Sequence, residues 1–243
     1  MEPHRRTRRQ PIWLGAMVAL ASLLASAGAH AQITVGTPNS NNCIPFICVD
    51  NGFEYQQVYS ASAFSTSVFI NNLTFYLAIP GSFANQTFAL SLSTTSKAVG
   101  GLSSNLASNV GLDNQLFASS LESGAIPASF TISGTPFSYN PLMGNLLVDI
   151  FVFGVNSHPG CLNSSCGYLE ADPSGALTSR AYAGNFVASS STFLNETDNL
   201  GLVTTFGVSA STVPEPSTLA LLSTGLLGVA VAYGRNRPRR RRR

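Results

Sequence analysis

Two close pairs of carboxylates, Glu170 with Asp172 and Glu196 with Asp198, are the residues of this chain best spaced to do chemistry. Paired carboxyl groups flanking a sugar can divide the acid and base roles of glycoside hydrolysis, and clustered carboxylate oxygens can ligate calcium. Neither segment follows the spacing of an EF-hand loop or a glycine-rich calcium nonapeptide. Solvated loop positions are therefore the simpler expectation, no metal ligand set can be assigned, and calcium is the one cofactor left open. His158 is the sole histidine between residues 32 and 212. With no second histidine at ligand spacing it reads as a loop residue rather than a metal ligand or general base. There is no Gly-x-Ser-x-Gly elbow, so abundant serine does not indicate a hydrolase. Asp149 stands alone in the apolar run Leu146 to Phe153, where an unpaired buried carboxylate would be costly; an edge-facing or hydrogen-bonded structural position is expected.

The four cysteines form two Cys-x4-Cys pairs, Cys43 with Cys48 and Cys161 with Cys166. In an exported protein these favour disulfides, and pairing within each couple is preferred among the three connectivities open to four cysteines. A four-thiolate zinc site would need reduced cysteines. Tyr55, Tyr59, Tyr76, Tyr139 and Tyr182 would suit a sugar-stacking surface if they shared an outer face, although most are expected to pack inside.

These residues need elements to position them, and the composition points to strands. Residues 32–212 are rich in Ser, Thr, Asn, Gly and aromatic side chains and poor in Lys, Arg and Glu, which disfavours exposed helices. Leu73, Phe75, Leu77 and Ile79 alternate with polar or small neighbours, as do Phe88, Leu90 and Leu92; Leu202, Thr204, Phe206 and Val208 predict a final strand. Leu146 to Phe153 is apolar on both faces except at Asp149 and predicts a central strand covered on both sides. Asp50-Asn51-Gly52, Pro80-Gly81, Gly100-Gly101, Ser133-Gly134-Thr135-Pro136, Asn140-Pro141 and Pro173-Ser174-Gly175 read as turns. The expected fold class is all-β: a single antiparallel β-sandwich, jelly-roll-like, with a cleaved N-terminal signal peptide and a C-terminal transmembrane sorting helix.

The ends carry the addresses. Arg5, Arg6, Arg8 and Arg9 precede the apolar stretch Ile12 to Leu24 and the triplet Ala29-His30-Ala31, which together predict a secretory signal over residues 1–31, cut after Ala31. Residues 213–243 begin with Val213-Pro214-Glu215-Pro216, continue as an uncharged run from Ser217 to Gly234, and close on an arginine cluster. At about 1.5 Å per residue that run is just long enough to span a bilayer as a helix, with its arginines kept on the cytoplasmic side. Setting the ends aside leaves Lys97 and Arg180 against nine carboxylates, a net charge of about −7 for residues 32–212. An acidic body argues against nucleic acid as a partner despite the terminal arginines.

The order of motif, apolar helix and basic end resembles the PEP-CTERM sorting signal of Gram-negative bacteria. The segments Gln56 to Tyr59, Leu90 to Thr95, Phe137 to Pro141, Gly144 to Ile150 and Gly201 to Thr204 are also similar to the bodies of PEP-CTERM proteins. The resemblance implies an exosortase as processing partner, transient anchoring in the inner membrane, a final place at the cell surface or outside it, and association with exopolysaccharide and biofilm. The reading is of a non-enzymatic surface or matrix protein without cofactor. A carbohydrate-binding module, calcium-assisted or not, is the alternative, and a polysaccharide hydrolase ranks third.

Overall fold

The computed structural model describes residues 30–154, 167–184 and 194–211. The chain divides after Ala210 into two units, and the first holds every strand of the described residues. Those strands are β1 (His30–Val35), β2 (Ser40–Asn42), β3 (Phe53–Tyr59), β4 (Val68–Ile79), β5 (Ser82–Thr95), β6 (Gln115–Ala125), β7 (Ser129–Tyr139), β8 (Asn145–Phe153), β9 (Tyr168–Asp172), β10 (Thr178–Gly184), β11 (Leu194–Asp198), β12 (Gly201–Leu202) and β13 (Thr204–Ala210). The described residues contain two 3-10 turns, Ala61–Ala63 and Leu106–Asn109, and no α-helix. No helix among them is long and apolar enough to cross a membrane; the run from Ser217 to Gly234 lies outside the described residues.

The strands form two antiparallel sheets. One has the order β1-β13-β4-β9-β12, with β2 also on β9 and β7 also on β4; the other runs β11-β10-β3-β8-β5-β6. The period-two pattern explains which side chains meet between them. Leu73 and Phe75 of β4, Phe88, Leu90 and Leu92 of β5, Leu146, Val148, Ile150 and Val152 of β8, and Phe206 and Val208 of β13 are all buried. Alternate positions along a strand point to one face, so each run delivers its apolar set to the same interior.

A loop completes that interior. Cys43 to Val49 folds inward as a plug, with Ile44, Phe46, Ile47 and Val49 almost wholly buried. The Phe46 ring lies 5.2 Å from that of Phe75, 5.5 Å from Phe88 and 5.1 Å from Phe130, mostly edge to face. The Phe46 carbonyl accepts a hydrogen bond of 3.0 Å from Gln86 Nε2, and a Cys43–Cys48 disulfide closes the loop. Gln86 points inward because β5 slips register between Phe83 and Gln86, where Asn85 takes a φ of 53°. An extra residue at a bulge re-aims the side chain that follows it. Closing so short a loop is worth about 2 kcal/mol of unfolded-state entropy. Cys43→Ser is expected to lower the unfolding free energy obtained from urea titration by that amount, and an unchanged value would show that the bridge adds nothing to the body's stability. Cys161 and Cys166 lie outside the described residues.

Four expectations are corrected. Ser133 to Pro136 is no turn: β7 runs through it beside a register shift in β4. Proline is tolerated there because β7 pairs with β4 alone and can spare a donor. Gly134 is needed at this point, since a Cβ would meet the Phe117 carbonyl oxygen at 2.2 Å. The last predicted strand is broken at Val203, whose N–H bonds to the Glu170 carbonyl at 3.0 Å, so Leu202 belongs to β12 and Thr204 to Ala210 to β13. On β8 the second face is covered only in part: Leu147 is buried, whereas Phe151 is 43% and Phe153 38% exposed. Asp149 does not sit at an edge, because β8 lies between β3 and β5.

Candidate functional site

The outer face of the six-stranded sheet is built by alternation along β8, which sends Leu147, Asp149, Phe151 and Phe153 away from the core. Its upper part is roofed by the segment between β5 and β6. Leu102 and Leu106 of that segment pack with Val58, Leu147 and Ala181 in a small second core. The roof is fastened by Gln56, whose Nε2 donates to the Leu106 carbonyl at 3.2 Å and whose Oε1 accepts from Asn109 Nδ2 at 2.9 Å. Below the roof the face is open. The Phe151 and Phe153 rings lie there 6.2 Å apart with planes inclined by 30°.

Polar groups rim these rings. Glu54 lies opposite Phe151 on β3, Thr87 opposite Phe153 on β5, and Ser91 and Gln56 flank Asp149 on its two sides. A cavity of about 450 Å³ adjoins them, lined by Glu54, Ser104, Asn105, Leu106, Ala183 and Asn195. Burial pushes the Asp149 carboxyl up, the Glu54 carboxylate pushes it further, and Gln56 pulls it partly back, leaving it at about 7. Its Oδ1 is buried without a hydrogen-bond partner among the described residues. Burial also raises Glu54. The arrangement therefore offers two accessible apolar ring faces, a carboxyl that changes charge near neutrality, and nearby hydroxyl and amide groups.

The carboxylate pairs singled out by spacing lie elsewhere and have other work. Asp172, on β9, accepts from the Thr37 and Ser174 backbone N–H groups, both through 2.9 Å or shorter contacts. Burial alone would raise its carboxyl, but bonds from Ser174 and Thr37 outweigh burial and hold it below the ordinary value. Asp198 receives a two-pronged bond from Arg180, 2.6 Å from Nε and 2.8 Å from Nη2, and Glu196 accepts from the Tyr182 hydroxyl at 3.0 Å. Both ties bind β11 to β10, and the Arg180 guanidinium lies 4.9 Å from the centre of the Tyr182 ring. Glu170 and Asp172 belong to one sheet, Glu196 and Asp198 to the other. Among the described residues no group of three or more His, Cys, Asp or Glu side chains gathers in metal-binding proximity. His158 lies outside the described residues.

The tyrosines do not form a stacking surface. Tyr55, Tyr59 and Tyr139 are buried to 1% exposure or less and Tyr182 to 5%, while the half-buried Tyr76 bonds Thr205 Oγ1 at 2.6 Å. Amphipathic rings bury well when the hydroxyl finds a partner, as Tyr59 does at Thr204 Oγ1 (2.7 Å) and Tyr139 at the Gly144 carbonyl (2.8 Å). The exposed pair Phe151 and Phe153 was missed because an apolar run gives no sign of which face is left open.

Of the predicted processing residues, Ala29 and Val213 to Pro216 lie outside the described residues, and Ala31 sits in β1 opposite Val208. A cut after Ala31 would leave Gln32 to Val35 on β13. A body of two antiparallel sheets thus ends at Ala210, immediately before the predicted address. Residues 212–237 match the family model of the PEP-CTERM protein-sorting motif. The chain is a PEP-CTERM motif-containing protein, and the motif implies export through a membrane-anchored intermediate and recognition by an exosortase. Comparison with curated proteins and with solved structures found no match.

Proposed function

We propose that this chain is a non-enzymatic surface or matrix protein. Its signal over residues 1–31 is removed, the run from Ser217 to Gly234 holds it in the inner membrane, and an exosortase then takes up Val213 to Pro216 and releases the body to the cell surface or beyond, among exopolysaccharide in a biofilm. The body is read as a jelly-roll-like sandwich, supported by the repeated crossing of the chain between two sheets. The observation that carries the reading is the sorting motif over 212–237 directly after the last strand. Pro214 and Pro216 keep that segment out of regular helix and bias the residue before each toward extended backbone, the form a processing cleft can grip. Glu215→Ala is expected to leave the full-length, membrane-bound form accumulating in cells, seen by immunoblot and terminal mass spectrometry. Normal release of a shortened product would overturn recognition through this motif.

A second reading, a carbohydrate-binding face, is favoured by the open rings of Phe151 and Phe153 beside Glu54 and Asp149. Ring faces stack on the apolar faces of sugars, and carboxylates accept from sugar hydroxyls. A body charge of about −7 selects neutral over anionic polysaccharide. Retardation in native gels containing a neutral glucan is expected for the wild type and lost in the Phe151→Ala, Phe153→Ala double variant. Equal mobility of both with and without glucan would remove this reading and leave the first standing.

A further inference from the structure

The chain enters and leaves the body at one end of the sheets. His30, the first residue of β1, pairs with Ser209, and Ala210, the last of β13, pairs with Val68, the first of β4. The same end carries the connections from β3 to β4, from β5 to β6 and from β7 to β8, because Tyr59 and Thr95 lie level with Leu146 and Asn145, and Tyr139 with Val68. The three most exposed large apolar side chains of the described residues stand on two of these connections: Leu112 at 110%, Leu142 at 91% and Met143 at 74%. A soluble surface has no evident need for three such side chains at full exposure on neighbouring loop tips. Leu112 and Met143 line the same open cavity, of about 560 Å³, with Thr94, Thr95 and Asn140.

The tips are held firmly. Asn140 Oδ1 accepts from the Leu142 N–H at 3.1 Å, the Asn140 carbonyl accepts from the Met143 N–H at 3.0 Å, and Asp113 Oδ1 takes the Thr94 N–H at 2.7 Å beside Leu112. Asn145 ties the three connections together, accepting from the Ala61 N–H and donating to the Lys97 carbonyl, each at 2.8 Å. Gly144 closes the turn at a φ of 147°, where a Cβ would meet the Thr95 carbonyl oxygen at 2.6 Å. Charge points the same way. In a body of about −7, the three connections carry only Lys97 and Asp113, which cancel, and the nearby Asp198 is paired with Arg180, so these loops escape the repulsion an acidic surface meets at anionic headgroups. Six residues separate Ala210 from Ser217, where the uncharged run begins, so the tether of seven Cα-to-Cα steps reaches at most about 25 Å.

We propose that this end of the body is a lipid-contact surface: Leu112, Leu142 and Met143 dip into the boundary between headgroups and acyl chains while the tail anchors the protein. The proposal rests on the membrane-anchored intermediate and adds a docking role for the body's own loops. Apolar side chains on rigid loops reach that boundary at little ordering cost, and the contact keeps the short segment after Ala210 at the membrane surface.

The test uses the full chain with Trp13, its single tryptophan, replaced by Phe, reconstituted in vesicles of phosphatidylcholine and phosphatidylglycerol with brominated acyl chains. Leu142→Trp and Leu112→Trp report from the proposed surface; Ser123→Trp reports from the far end of β6. All three positions are exposed, so the replacements displace no packing. The emission of Leu142→Trp and Leu112→Trp is expected to shift to the blue and to be quenched several-fold more than that of Ser123→Trp. Protein that floats with the vesicles while all three reporters emit as in water overturns the contact surface alone. Protein that does not float with vesicles at all overturns the anchored intermediate together with it.

Discussion

Phe46→Ala is expected to destabilise the body by about 3–5 kcal/mol, the range for truncating a fully buried phenylalanine. The residue is in a loop, where such a loss would be surprising, but its side chain has no exposure and its ring touches those of Phe75, Phe88 and Phe130. Two of these rings belong to the sheet of β4 and β7 and one to the sheet of β5, so the plug joins the sheets. The cavity left by the missing ring would be slow to collapse, because the Cys43–Cys48 disulfide and the Gln86 bond to the Phe46 carbonyl hold the loop backbone in place. For a body of this size each kcal/mol moves the melting temperature by about 2–4 °C, which predicts a fall of about 10 °C in a thermal scan. Leu142→Ser, at a site without packing, should melt with the wild type. A loss under about 1 kcal/mol for Phe46→Ala would mean that the plug lies outside the cooperative core.

The plug also marks where sequence reading stops. The strands of β4, β5, β8 and β13 were legible because Leu73 and Phe75, or Phe88, Leu90 and Leu92, repeat at the strand period. Ile44, Phe46, Ile47 and Val49 have no such period, since a loop buries side chains by folding back and not by alternation. The same limit hid the roof over the second sheet, where Leu102 and Leu106 sit in a polar, serine-rich stretch. Register was illegible for another reason. Bulges near Asn71, Asn85 and Val208 shift the register by one or two residues and depend on contacts between distant strands. The candidate face suffered most. Close spacing drew attention to Glu170, Asp172, Glu196 and Asp198, but three of the four are engaged in caps or cross-strand ties, whereas Asp149 and Phe151 come together with Glu54 from nearly a hundred residues away. The sorting motif was the reverse case. Its signature is carried by the order and spacing of residue types alone, so the match over 212–237 could be read directly from the sequence.

Asp149→Asn should stabilise the protein near pH 8 and change little near pH 4. In the native state the Asp149 carboxyl is raised to about 7, from an ordinary value of 3.8, by burial and then by Glu54. The folded protein therefore holds this proton more tightly than the unfolded chain does. The stability that its protonation supplies is complete below the unfolded value and disappears as pH climbs through about 7. At 1.36 kcal/mol per pK unit the full swing is about 4 kcal/mol, an order-of-magnitude figure. Asparagine has nearly the shape of the protonated acid and never ionises, so it keeps the low-pH stability at every pH. Urea midpoints of the wild type should fall between about pH 4 and pH 8, and the Asp149→Asn curve should stay nearly flat across the same window. The slope that remains belongs to Glu54, raised by burial and working in the same direction. Asp172 acts oppositely, since its lowered carboxyl removes stability only as pH falls below the ordinary carboxylate range, outside this window. A wild-type midpoint independent of pH, or an Asp149→Asn curve parallel to it, would show that Asp149 is ionised and solvated in the folded protein. If the two curves diverge as expected, the open face beside Phe151 and Phe153 exchanges a proton near neutrality, and its charge then follows the pH of its surroundings.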